Sequence, residues 1–229
     1  MMKRLIWLLL LVATMLPASA QRDVTTFLGI PVDGTKAEMR RKLIAKGFVP
    51  TKLPGYDFLE GEFNGVQVRV YIVTNNNKVC RIYLADKNAR DEAGIRIRFN
   101  NLVAQFEGND RYVTLGDYKI ADDTRISYEM TVDNKSFEAV FYQRADMDKV
   151  DSLAFQTQIK KEMLKEYTEE QLMNPTEEIE ASRDVVVRTL AADLIMKKCV
   201  WFSICRNVGE YFIAMYYDNE YNKANGEDL

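Results

Sequence analysis

The amino-acid sequence predicts an α+β fold built from repeated units of one helix followed by an antiparallel meander, with the helices on one face of the sheet. Three observations lead to it. Leu59-Glu60-Gly61-Glu62-Phe63 and Val66-Gln67-Val68-Arg69-Val70-Tyr71-Ile72 alternate along the chain, and Asn64-Gly65 between them is a strong hairpin signal. Thr35 with Glu38 three residues on forms a capping box ahead of the apolar stripe Met39, Leu43 and Ile44. The order of a helix and then strands returns twice further along. Helices gathered over one side of an antiparallel sheet are how such an order buries its apolar faces.

Each element follows from local signals. Phe27 to Val32 leads into the first helix, 35–46, which Gly47 stops, with Pro50 and Pro54 beyond it. The strands 59–63 and 66–72 come next, and Asn75-Asn76-Asn77 turns the chain into 79–84. Ile95, Phe99, Leu102, Val103 and Phe106 then recur at helical spacing up to Gly108-Asn109. Strands are expected at 111–116, 124–132 and 136–143, the last two joined by a hairpin at Asp133-Asn134-Lys135. A helix at about 150–166 carries Leu153, Phe155, Ile159 and Met163. Another runs from Asn174-Pro175, with Asn as its cap, to about Lys197. Strands 199–206 and 210–217 turn at Asn207-Val208-Gly209, and the polar tail from Asp218 to Leu229 is expected to fray. The polar stretch 144–151 is the expected seam. It gives a signal segment 1–20, a tandem helix-meander region 21–148, and a C-terminal region 149–229 packed on the same core.

The first residues read as a cleavable export signal. Lys3 and Arg4 precede the apolar run Leu5–Leu16, and Ala18-Ser19-Ala20 offers small residues for cleavage ahead of Gln21. The run is about a dozen residues, short of the roughly 20 a spanning helix needs, and no second run follows, so the mature chain is expected to lack a transmembrane segment. No Cys follows the run, which closes the lipid-anchored route. The expected location is periplasmic or extracellular. Without Lys3 and Arg4, 29 of the 31 basic residues remain against 34 acidic ones, a formal charge of −5. With no basic stripe, a nucleic-acid partner is not expected. At 47% apolar and 11% aromatic residues, the chain can build a full core.

The chain has no histidine. That removes Ser-His-Asp and Cys-His catalysis, His-ligated zinc, and imidazole acid–base work near neutral pH. No Gly-rich phosphate loop occurs either, and no cofactor or metal is implied. Asp218 to Asn222 opens like a calcium loop, but Lys223 stands where an EF-hand needs Gly and Leu229 where it needs Glu. The carboxylates Asp57, Glu60 and Glu62 are the remaining acid–base candidates. Glu60 and Glu62 share one strand face, as a solvated outer face would have them.

Of the three cysteines, Cys80 is in phase with Ile82 and Leu84 and should face the core. Cys199 and Cys205 share the less apolar face of their strand with Trp201 and Ser203. Six residues apart on a strand is about 20 Å, beyond the ~7 Å a disulfide spans, so Cys199 and Cys205 cannot pair. A Cys80 bridge to one of them is the alternative, and the opposite facing of Cys80 makes three free thiols the expectation. Aromatics gather late in the chain. Phe202 and Phe212 are expected in the core, while Trp201, Tyr211, Tyr216, Tyr217 and Tyr221 are the candidate binding residues of a partner surface.

The stretch Phe27-Leu28-Gly29-Ile30-Pro31-Val32-Asp33-Gly34-Thr35, with Lys42-Leu43 and Lys46-Gly47-Phe48 after it and Tyr216-Tyr217-Asp218-Asn219-Glu220-Tyr221-Asn222 at the end, resembles a family of uncharacterised exported bacterial proteins. More distantly, the helix, glycine stop and meander in tandem look similar to the beta-lactamase inhibitor protein and the small outer-membrane assembly lipoproteins, which are binding modules without catalysis. The resemblance therefore implies a non-catalytic envelope protein that binds another envelope or secreted protein. The alternative from a different class is a carboxylate-dependent glycan hydrolase, which would place two carboxyl groups about 5–10 Å apart in a deep pocket.

Overall fold

A computed structural model of the chain describes residues 22–146 and 148–224; the expected signal segment and residues 225–229 lie outside them. The main sheet has eight antiparallel strands in the order β3-β4-β5-β6-β10-β9-β8-β7. These are β3 (Val49–Pro50), β4 (Leu59–Phe63), β5 (Val66–Asn75), β6 (Lys78–Asp86), β7 (Tyr112–Val113), β8 (Glu138–Gln143), β9 (Cys199–Asn207) and β10 (Glu210–Asp218). The fold is α+β, as the patterning requires. A two-residue pair, β1 (Thr26–Phe27) and β2 (Ile30–Pro31), lies apart from the sheet but lodges Phe27 in the core, against Phe48, Phe63 and Tyr217.

Helix α1 (Lys36–Ala45) forms where the capping box places it, with Thr35 and Glu38 exchanging both bonds. It lies over β5 and β6 and buries Met39 and Leu43. Helix α2 (Glu92–Glu107) is capped by Asp91, whose carboxylate accepts from the Gly94 amide at 2.8 Å. It crosses β10 and buries Ile95, Phe99, Leu102, Val103 and Phe106, the stripe the spacing predicts. The same face of the sheet supplies Val70 and Ile72, Ile82 and Leu84, Val200 and Phe202, and Ile213 and Met215. Asn64 and Gly65 both have positive φ, 48° and 75°, as a two-residue type I′ hairpin demands.

Four local expectations need correcting. Residues 124–132 do not form a strand: helix α3 (Ile126–Thr131) stands there, and the Lys135 amide bonds back to Glu129 O instead of closing a hairpin. Ile126 and Met130, four apart, are in phase for both periods, and Tyr128 between them is exposed as a helix would leave it. The expected strand 111–116 shrinks to β7 at the sheet edge. Asn174 is the C-cap of a short helix α5 (Glu169–Met173) absent from the sequence reading. The following helix, α6 (Glu177–Met196), takes Thr176 as its N-cap. The tail does not fray at its start: Asp218 and Asn219 are buried, and residues 218–223 strap across the sheet end. The Asn219 amide side chain donates to Val32 O, and that of Asn222 donates to Val79 O.

β9 and β10 insert between β6 and β8, so the segment after residue 149 shares the sheet of the segment before it. Helices α4 (Ser152–Met163), α5 and α6 stand apart, around a second small cluster of Ile159, Met163 and Ile179.

Candidate functional site

With α1 and α2 on one face of the sheet, the alternating residues of the central strands form the other. Trp201 of β9 lies directly opposite Tyr216 of β10, Tyr216 opposite Tyr83 of β6, and Tyr83 opposite Tyr71 of β5. Their rings stack in sequence at centroid separations of 3.9, 5.1 and 5.2 Å, tilted from parallel by 16°, 21° and 27°. Phe58 continues the row at 5.4 Å from Tyr71, and the exposed Tyr56 meets Phe58 edge-on. At the ~4.8 Å strand spacing the row spans about 20 Å. The four central residues are half-buried: Tyr216 and Tyr83 have a stacked ring on each side, Tyr71 lies between Tyr83 and Phe58, and Trp201, at the end of the row, stacks on Tyr216 alone.

A buried carboxylate pins one end of this row. Asp218 accepts from Arg81 Nε and Nη2, from Lys223 Nζ at 2.9 Å and from Trp201 Nε1 at 3.0 Å. Burial alone would raise the Asp218 carboxyl, but the donors Arg81, Lys223 and Trp201 outweigh it and hold the group below the usual carboxylate range. The Arg81 guanidinium lies over the rings of Tyr216 and Trp201, 4.9 and 5.7 Å from their centroids. At the other end Glu60 pairs with Lys87 and Arg69, and Arg69 lies over Phe58. Burial, with the neighbouring Tyr216, pushes the Tyr83 hydroxyl up to about 12, and burial also raises that of Tyr216. Both therefore stay neutral donors at neutral pH.

The candidate binding residues read from the sequence divide three ways. Trp201 and Tyr216 are in the row. Tyr211 and Tyr217 are buried on the helix side of β10. Tyr221 sits apart, half-buried in the strap, with Arg22 and Lys197 each about 5 Å from its ring. Phe212, expected beside Phe202 in the core, is instead half-buried on the outer face. It pairs with Cys205 in the phase of Tyr216. Sequence reasoning missed Tyr71 and Tyr83, although both alternate with core residues of their own strands. It also missed the clamp at Asp218.

All three cysteines are free. Cys80 is buried, and Cys199 and Cys205 are half-buried on the outer face, the arrangement expected from strand phase. Burial raises all three thiols, that of Cys199 to about 11, which leaves them protonated and poor nucleophiles. Among the described residues no cluster of three or more potential ligands could hold a metal ion, and no helix is long and apolar enough to cross a membrane. Comparison with models of protein families, with curated proteins and with solved structures finds no significant match to the chain.

Proposed function

We propose that this chain is a non-catalytic, exported envelope protein whose uncovered sheet face binds another protein. The observation that carries the reading is the stacked row Trp201-Tyr216-Tyr83-Tyr71. Glycan and nucleobase recognition by aromatics needs a free ring face for the ligand to lie on. Here Tyr216, Tyr83 and Tyr71 each have neighbouring rings on both sides, and their hydroxyls stay neutral on a rigid sheet. Such a surface pairs apolar contact with hydrogen bonding at little cost in side-chain ordering, the property that enriches Tyr and Trp at protein interfaces. Charged pairs flank it, Arg81 hydrogen-bonded to Asp218 and Arg69 facing Glu60 at 3.7 Å, and form a polar rim.

The glycan-hydrolase alternative fares less well. A general acid must be held above the ordinary carboxylate range, whereas Glu38, Asp57, Asp146, Glu169 and Asp218 are all held below it. Glu60 is tied into its ion pairs and Glu62 is exposed.

A photo-crosslinking side chain at Tyr71 or Tyr83, introduced in the native host, tests the reading. A discrete protein adduct is expected from these positions and not from Arg41, an exposed site on α1. Adducts only from Arg41, or glycan cleavage by the purified chain, would overturn it. Mass spectrometry of the same material should find Gln21 at the N-terminus if the chain is exported as its leader implies.

A further inference from the structure

The helical unit 152–196 offers a second, separate surface. Helix α6 is 20 residues long, yet Ile179 is its one buried side chain. Between α4, α5 and α6 lies a crevice of about 270 Å³, lined by Ile159, Met163, Leu172, Met173, Pro175 and Ile179. That is below the ~300 Å³ at which small-molecule sites begin, and suits one or two anchoring side chains of a longer ligand. Its walls are closed ion pairs, Lys160 with Glu169 at 2.9 Å and Arg183 with Glu180 at 3.8 Å, so a small anion would find no free cation there. Met173 at the rim is 77% exposed, and thioether side chains on a groove adapt readily to inserted side chains.

The charge distribution says what the groove would take. Residues 152–196 hold nine of the chain's 34 acidic residues and five of its 31 basic ones, a net −4 of the −5 expected for the mature chain, leaving −1 for everything else. Most of the mature chain's net acidity therefore sits on the unit that carries the crevice, where the exposed Glu177 and Glu178 of the first turn of α6 precede the lining residue Ile179. A second copy would bring the same −4 and be repelled, as would an anionic lipid surface or a nucleic acid. We infer that the crevice of the helical unit docks a basic amphipathic helix of a partner protein, its apolar side chains entering between α4 and α6 and its Lys or Arg side chains facing the glutamates. This surface uses no residue of the aromatic row, so the two proposals stand or fall separately.

The test is fluorescence anisotropy with the full mature chain and three labelled peptides. One has Leu at i, i+3 and i+4 spacing with Lys elsewhere, one has Glu for every Lys, and one has Ala for every Leu. The Leu–Lys peptide should bind at least about tenfold more tightly than either counterpart, and the binding should weaken as salt is raised. Met173→Lys, at an exposed position that leaves the fold intact by circular dichroism, should weaken it about tenfold, as should the double reversal E177K/E178K, while Tyr83→Ser should not. Equal binding of all three peptides, no binding at all, or affinity untouched by Met173→Lys would overturn the proposal. A dimer in sedimentation that Met173→Lys dissociates would overturn it in favour of a second copy.

Discussion

Replacing Asp218 by Asn removes one charge from a side chain that is 1% exposed while keeping its size. The carboxylate accepts from both Arg81 donors, from Lys223 and from Trp201, and the amide retains a single acceptor oxygen. Hydrogen bonds to charged groups are worth about 1.5–3 kcal/mol each, and breaking a fully buried pair costs about 3–5 kcal/mol. Arg81 and Lys223, however, are 30% and 32% exposed and recover hydration when released, which discounts the loss. The expected cost is about 2–3 kcal/mol at neutral pH, read as a lowered urea midpoint at unchanged m-value. The pH dependence has a definite sign. The folded carboxyl titrates below its unfolded value of about 3.9, so its contribution is complete above that value and is lost as pH falls through the folded pKa. The gap between wild type and Asp218→Asn should therefore be widest near neutrality and close as pH falls below about 4. A gap under about 0.5 kcal/mol at neutral pH, or one that does not narrow in acid, would refute the clamp.

Other perturbations report on other parts of the argument. Gly61→Ala places a Cβ 2.6 Å from the buried Phe48 ring and should destabilise by about 1–3 kcal/mol, seen as a lower melting midpoint. Gly65→Val forces a β-branched residue to φ 75° and should cost more than about 1 kcal/mol; an unchanged midpoint would mean the turn is not type I′. At the last hairpin Val208 already occupies φ 48° while almost fully exposed, so Val208→Asn should raise stability by about 1 kcal/mol in the same urea assay. Thiol titration of denatured, unreduced protein should give three reactive groups per chain, and a single group would contradict the strand phases.

The sequence by itself determined whatever a few neighbouring residues can encode. The capping box at Thr35 and Glu38 starts α1, and Asn64-Gly65 turns β4 into β5. Alternation along β6 and β9 assigned Cys80, Cys199 and Cys205 to their faces before any strand partner was known. The absence of histidine narrowed the chemistry on composition alone. These signals are local because caps, two-residue turns and the period of two are satisfied within one element. They fail where two periods coincide, as at Ile126 and Met130, and where a helix as short as α5 has hardly a turn of pattern to show. The tertiary structure decided the rest, because alternation says which way a side chain points and not which strand lies beside it. Tyr83 and Tyr216 become neighbours only because β6 pairs with β10, in one register among many the pattern would allow. The Asp218 clamp depends on the same pairing: β6 brings Arg81 from 137 residues away, and a tail polar enough to read as frayed is instead held down by the charge it neutralises. The split between the sheet core and the cluster of α4, α5 and α6 is likewise tertiary, since their apolar stripes look alike in sequence and differ only in what they pack against.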